Sequence, residues 1–105
     1  MQEEIRSLVD NIAEVVDCKR IYLFGSYAKG KQRDDSDIDL YIVVPDGSPR
    51  PFDIALTIRK HLSNVSKPAP IDIVVKHFSA FSARSVLPTM ENQVIEEGVL
   101  MYEKL

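Results

Sequence analysis

The sequence lacks the features that mark secreted and membrane proteins. Its 105 residues include a single cysteine, Cys18, which cannot form a disulfide within the chain. One cysteine favours a reducing compartment, and we expect a cytoplasmic protein. The first four residues, MQEE, are acidic where a signal peptide would be basic. No apolar run approaches the ~20 residues that a helix needs to cross a bilayer, so we expect no membrane partner.

Basic residues are fewer than acidic residues, and the sequence contains no internal repeat. The chain has 13 Lys and Arg against 16 Asp and Glu, which gives a formal net charge of -3. Proteins that coat nucleic acid need a basic surface, so this balance argues against direct nucleic-acid binding. The composition, 45% hydrophobic and 28% charged, is that of an ordinary globular protein. A chain of this length predicts one domain over residues 1–105.

The pattern of apolar residues predicts helices that alternate with strands. Apolar residues at helical spacing predict a helix over residues 2–17, a second around 51–62, and helical segments over 79–97 that are interrupted near Pro88. Residues 26–30 could add one or two helical turns. Short apolar runs predict strands at residues 21–24, 38–44 and 71–75, with an edge strand at 99–102. This order predicts an α/β protein.

Three aspartates stand at the start of predicted buried strands. Asp37 and Asp39 are two residues apart, so they point to one face of a strand. Asp72 repeats the feature in the next strand, within "PIDIVV". Capping or turn formation in "DDSD" would explain one such residue but not two in separate strands. Neighbouring carboxylates repel each other, and a divalent cation removes that repulsion. Oxygen ligands of this kind suit Mg²⁺ or Mn²⁺.

A glycine and a serine follow the first strand. Gly25 would let the backbone approach a ligand closely, and unpaired N–H groups at a helix start would bind phosphate. The alternative is a plain strand-to-helix turn in which Ser26 is the N-cap.

The spacing of these motifs resembles that of a known family. Gly-Ser, ten residues, Asp-x-Asp, and an aspartate in the next strand is the pattern of the nucleotidyltransferase superfamily typified by DNA polymerase β. The stretch "GSYAKGKQRDDSDIDLYIVV" is similar to the minimal nucleotidyltransferase (MNT) group. The resemblance spans essentially the whole chain. The residues that match the motif are Gly25, Ser26, Gly30, Asp37, Asp39 and Asp72, and Lys29 stands where family members often carry arginine.

The resemblance implies a polymerase β-like nucleotidyltransferase fold, an α+β structure of two layers. Its mixed sheet would have the helices packed on one face. The motif positions give an independent expectation about the strands. For the Gly-Ser turn and the Asp pair to share one site, strands one and two must be antiparallel. For Asp72 to join them, strands two and three must be parallel, with the helix around 51–62 as the crossover.

The resemblance also implies the chemistry. Asp37, Asp39 and Asp72 would be the catalytic residues and would hold two Mg²⁺ ions, with Mn²⁺ as the alternative. The nucleotide, ATP, would be bound by Gly25, Ser26, Lys29 and Gly30. An acceptor hydroxyl, oriented or deprotonated by Asp72, would attack the α-phosphorus, and pyrophosphate would leave.

The acceptor is the open part of this interpretation. The resemblance implies an MNT antitoxin of a type VII toxin–antitoxin pair, which adenylylates a tyrosine of a HEPN ribonuclease toxin. The alternatives are a small-molecule acceptor such as an aminoglycoside, and an antitoxin that acts by contact alone. A partner or a homo-oligomer would have to present the acceptor. An exposed apolar patch is expected among the C-terminal residues Phe78, Phe81, Val86, Leu87, Val94, Ile95, Val99, Leu100 and Met101.

Overall fold

The computed structural model describes residues 2–105, which form one mixed sheet and four helices. In chain order the elements are α1 (Gln2–Val15), β1 (Arg20–Phe24), β2 (Ile38–Val44), α2 (Pro51–Leu62), β3 (Ile71–His77), α3 (Phe78–Ser85), α4 (Met90–Glu97) and β4 (Val99–Glu103). All predicted strands and long helices are therefore present. The exception is residues 26–30, which form a turn and not a helix.

The strand pairing is the one that the motif positions required. The sheet order is β3-β2-β1-β4. β1 and β2 are antiparallel, while β2 and β3 are parallel and are connected through α2. β4 pairs with β1 in antiparallel orientation and lies at an edge of the sheet, which confirms the predicted edge strand. The carboxyl end of β1 thus lies beside the amino ends of β2 and β4.

One face of the sheet is covered by α1 and α2. Alternate residues of β2, such as Leu40 and Ile42, are fully buried on this face against apolar residues of both helices. The helical contributions come from Ile5, Leu8, Val9, Ile12, Ile54, Ile58 and Leu62. Burying one such side chain contributes about 1.5–3 kcal/mol, so this layer holds the sheet together.

The opposite face is covered in part by α3 and α4, so the expectation of helices on one face only was wrong. Tyr41 and Val43 alternate with the first set of β2 residues, and both are fully buried on this second face. Phe81 of α3 and Val94 of α4 pack against them, with the Tyr41 and Phe81 ring centroids 5.4 Å apart. β2 is apolar on both faces beyond Asp39, and such a strand needs cover on both sides.

A hydrogen-bond network around one buried carboxylate anchors α3 and α4 to the middle of the sheet. Glu91 is the one charged residue within residues 2–105 that is buried, with 2% of its surface exposed. The Tyr41 hydroxyl donates to Glu91 Oε2 at 2.8 Å, and Arg84 Nε donates to Glu91 Oε1 at 2.8 Å. The carboxylate therefore joins one residue of β2, one of α3 and one of α4.

No helix within residues 2–105 has the length and apolar character that crossing a membrane requires.

Candidate active site

The sheet register brings the aspartates of β2 and β3 together. Asp39 and Asp72 are Cα partners in the parallel β2–β3 pair. Both alternate with the residues that face α1 and α2, so they lie on the face that α3 and α4 partly cover. Asp37 immediately precedes β2 and is half-buried, whereas Asp72 is exposed. The carboxylates therefore gather at one end of the sheet.

Gly25 closes the other side of this group. Phe24, the last residue of β1, is the partner of Asp39 in the antiparallel β1–β2 pair, so Gly25 follows directly beside it. A Cβ atom at Gly25 would collide with the Asp39 carboxylate oxygen Oδ2. The φ angle of Gly25 is +76°, which side chains other than glycine rarely adopt. Glycine is therefore needed here both for the turn and for the close approach of Asp39.

The surroundings of Asp39 favour its protonated form. Burial raises the pKa of Asp39, the negative charges of Asp72 and Asp37 raise it further, and so does a hydrogen bond that the protonated group donates to Asp72. Removal of a carboxylate from water disfavours its ionisation, and so does the proximity of other negative charges. A bound cation would offset the same repulsion.

The donor set fits a hard cation, although its members do not surround one point. Among the residues that the structure describes, no three Asp, Glu, His or Cys side chains are placed as ligands of a single metal ion. Asp39 and Asp72 contact each other, and Asp37 is near enough to raise the pKa of Asp39. Carboxylate oxygens of this kind are ligands that Mg²⁺ and Mn²⁺ accept. Joint ligation by all three aspartates stays a prediction.

The turn after Gly25 leaves several donors free. Lys31 N donates to Ser26 O at 2.9 Å, and Lys29 N donates to Gly25 O at 3.3 Å, which closes the turn. Within residues 2–105, the backbone N–H groups of Ser26, Tyr27 and Ala28 and the Ser26 hydroxyl make no hydrogen bond. Ser26 is therefore not a helix N-cap, and successive free N–H groups beside the carboxylates can bind an anion.

Lys29 and Gly30, which were predicted to bind the nucleotide, lie at the outer end of this turn. Gly30 is exposed, with a φ of +68° and no atom within 4 Å of the position of a Cβ. The turn geometry alone accounts for this glycine. Lys29 is exposed as well, and its ammonium group lies 3.5 Å from Glu97 Oε1 of α4.

A cleft of about 260 Å³ opens between the turn and α4. Gly25 and Lys29 line one side, and α4 forms the other. The remaining lining residues are Phe24, Met90, Gln93, Val94 and Glu97. The local sequence pattern does not place α4 at the site. The pairing of β4 with β1 would have revealed it, because Val99 is the partner of Leu23 and the end of α4 must then lie beside the end of β1.

Comparisons with known proteins agree with this arrangement. The family model described as polymerase beta, nucleotidyltransferase, matches residues 3–105. A protein from Sulfolobus solfataricus described as a nucleotidyltransferase has a similar structure, with a TM-score of 0.63, 19% identity, and coverage of 99% of this chain and 81% of that one.

Two further structures are similar. A toxin–antitoxin structure with AMP-PNP has a TM-score of 0.62 and 23% identity, covering 96% of this chain and 73% of that one. A structure described as a minimal nucleotidyltransferase has a TM-score of 0.57 and 24% identity, covering 93% and 90%. At these identities the likeness shows the fold. Comparison with curated protein sequences finds no match.

Proposed function

The chain belongs to the polymerase β nucleotidyltransferase family, and on this premise we propose that it transfers AMP from ATP to an acceptor hydroxyl. One observation carries the proposal. The β2–β3 register and the Gly25 turn place two aspartates and a set of free backbone N–H groups at the same end of the sheet. A phosphate-binding turn beside paired carboxylates is the arrangement that metal-assisted phosphoryl chemistry needs.

Each of these residues has a role in the proposed reaction. Asp37, Asp39 and Asp72 would hold Mg²⁺, which when bound neutralises phosphate charge and stabilises the attacking and leaving oxygens. The free N–H groups after Gly25 and the Ser26 hydroxyl bind the β- and γ-phosphates. The acceptor oxygen forms a bond to the α-phosphorus while the bond from the α-phosphorus to pyrophosphate breaks. Asp72, exposed on edge strand β3, orients the hydroxyl and accepts its proton.

The proposed acceptor is a tyrosine of a HEPN toxin, with this chain as the antitoxin. Similar structures include a toxin–antitoxin with AMP-PNP and a mutant of the toxin–antitoxin MntA-HpeT, the latter with a TM-score of 0.59 and 20% identity. Every helix and strand within residues 2–105 belongs to the sheet or to its two helical layers. No described element is left over to grip an acceptor, which agrees with the proposal that a partner presents it. Positioning of this kind supplies much of the rate of a group transfer.

The compartment proposed for this reaction is the cytoplasm. Cys18 is unpaired and has 1% of its surface exposed, as expected of a structural thiol in a reducing compartment.

Co-expression with a HEPN protein encoded beside this chain tests the proposal. The intact mass of the partner should increase by one AMP per modified tyrosine. The increase should be lost with Asp39→Asn and kept with Asp34→Asn, which changes an exposed aspartate of the preceding loop.

Two other results would overturn the adenylylation of a toxin. A stable complex without added mass, in which Asp39→Asn still neutralises toxicity, would indicate an antitoxin that acts by contact. Transfer of AMP to a small molecule such as an aminoglycoside, without any complex, would place the enzyme in another acceptor class.

A further inference from the structure

The cleft beside Gly25 is bridged by an ion pair. Lys29 extends from the turn and Glu97 from the last turn of α4, and their charged atoms are 3.5 Å apart. Both side chains line the cleft, and both are about half exposed, at 46% and 52%. The pair therefore joins the turn to α4 across a cleft that Gly25 also lines, and the Asp39 carboxylate lies against Gly25.

No interaction within α4 favours a negative charge at Glu97. It lies in the last turn of α4, which contains no basic residue, and a carboxylate there interacts unfavourably with the helix dipole. Glu96 lies in the same turn and is also exposed, but it makes no ion pair within residues 2–105. The interaction with Lys29 is thus what distinguishes Glu97 from its neighbour.

The same pair conflicts with phosphate binding. A triphosphate held by the free N–H groups after Gly25 would lie beside Lys29, the nearest cation of the cleft, and would attract it. The Glu97 carboxylate would then face an anion of its own sign, which is unfavourable at short range. Lys29 cannot serve both partners fully.

We propose that Glu97 competes with the triphosphate for Lys29, so that the ion pair closes the phosphate cleft until a nucleotide opens it. This inference rests on the proposed function, because it assumes that the cleft binds a triphosphate. Glu97 is then a residue that sets affinity, and it does so by weakening the binding of every ligand that needs Lys29.

Calorimetric titration of the purified protein tests this, with AMP-PNP and Mg²⁺ as one probe and inorganic tripolyphosphate as the other. Glu97→Gln should bind both probes about three- to fivefold more tightly, a range that an exposed ion pair allows. Glu96→Gln relieves the same helix dipole and should leave both affinities unchanged. Lys29→Gln should weaken binding, and adding Glu97→Gln to it should restore nothing. Thermal unfolding of each variant confirms that it is folded.

The outcomes separate this inference from the proposed function. If the wild type binds both probes and Glu97→Gln binds no better than Glu96→Gln, the competition is wrong while the proposed function stands. An equal gain from Glu97→Gln with and without Lys29 would also overturn it, since the effect would then not involve Lys29. If neither the wild type nor Glu97→Gln binds either probe, the proposed function is wrong and the inference is overturned with it.

Discussion

At the scale of single residues, the site depends on how closely Gly25 approaches Asp39. Gly25→Ala would add a Cβ atom where the Asp39 carboxylate now lies, and it would strain a residue whose φ is +76°. We expect a loss of about 1–2 kcal/mol in the free energy of unfolding from the backbone strain. We also expect transfer to fall by at least about a hundredfold, because small displacements at a reacting centre have effects of this size.

Gly47→Ala is the matched control for this prediction. Gly47 has a φ of +92°, but no atom lies within 4 Å of the position of a Cβ. The Gly47→Ala variant should lose a similar amount of stability and keep its transfer activity. If both variants lost activity equally, as measured by pyrophosphate release, the Gly25–Asp39 contact would have no special role.

Asp39 itself gives a prediction that depends on pH. Its pKa is raised above the ordinary 3.8, mainly by burial and by the charges of Asp72 and Asp37. The stability contributed by the protonated form is present below pH 3.8 and is lost as the pH rises through the higher folded-state value. In metal-free buffer, Asp39→Asn should therefore be more stable than the wild type at neutral pH, and the difference should shrink in acid.

Urea unfolding at several pH values measures this difference, and the same variant should lose Mg²⁺-dependent binding of AMP-PNP. A wild type that remained the more stable protein at neutral pH without metal would show that carboxylate repulsion does not act at Asp39.

The positions of Asp39 and Asp72 on one face of the sheet could be predicted from the sequence, whereas the position of Glu97 beside the cleft could not. Asp39 and Asp72 interrupt apolar runs, and their period-2 position fixes the face on which they lie. Glu97 is one of two adjacent exposed glutamates at a helix end, and nothing local separates it from Glu96. Its place in the cleft follows from long-range pairing of β4 with β1, which the local pattern does not specify.

At the scale of secondary-structure elements, the Tyr41–Glu91–Arg84 network fixes α3 and α4 against the sheet. Burial raises the pKa of Glu91, but the hydrogen bonds from Arg84 and Tyr41 lower it more, so the net shift is downward from 4.5. The stability contributed by the charged Glu91 is present above pH 4.5 and is lost as the pH falls through its lowered value.

Tyr41→Phe should destabilise the protein, because it leaves the buried Glu91 carboxylate with one partner fewer. The expected loss is about 1.5–3 kcal/mol in the free energy of unfolding, and it should shrink in acid. Tyr102→Phe is the control, since the Tyr102 hydroxyl makes no hydrogen bond within residues 2–105. Equal stability of the two variants in urea unfolding at neutral pH would contradict a structural role for the network.

The elements themselves show where sequence patterns are sufficient. The strands predicted at residues 21–24 and 38–44 were nearly complete, because short apolar runs that end at a glycine or a proline, here Gly25 and Pro45, are strong local signals. The packing of α3 and α4 on the second face was missed. Asp37 and Asp39 indicated that one face of β2 is polar. Tyr41 and Val43 lie on the same face further along the strand, and they make that part of the face apolar. Because this face is polar at one end and apolar at the other, the alternation of polar and apolar residues does not predict that helices cover it.

At the scale of the whole molecule, an apolar tip projects beside the site. We define the α3–α4 tip as Val86, Leu87 and Met90, which are 80%, 53% and 46% exposed. Met90 also lines the cleft next to Gly25, so the tip and the cleft are continuous. Some of the C-terminal apolar residues were expected to be exposed, and Val86 and Leu87 are, whereas Phe81 and Val94 are buried. Exposed apolar groups of this kind are typical of protein interfaces.

Replacing Leu87 with serine should weaken a complex with the proposed toxin partner by about tenfold or more, as loss of a central apolar contact does at interfaces. Binding of AMP-PNP should not change. Leu56→Ser, an exposed leucine of α2 on the other layer, serves as the control. Co-purification of the partner with each variant provides the measurement, and equal recovery with both would exclude the α3–α4 tip as the interface.

The proposal that this chain is an active nucleotidyltransferase is tested most directly by following the phosphates of ATP. The purified protein, with whatever polypeptide co-elutes, would be incubated with Mg²⁺ and ATP labelled at either the α- or the γ-phosphorus. We predict that the α label becomes attached to the acceptor, that the γ label leaves with pyrophosphate, and that Asp39→Asn abolishes the transfer. Attachment of the γ label would indicate a kinase, and absence of α-label transfer by the wild type in the presence of its partner would contradict the account.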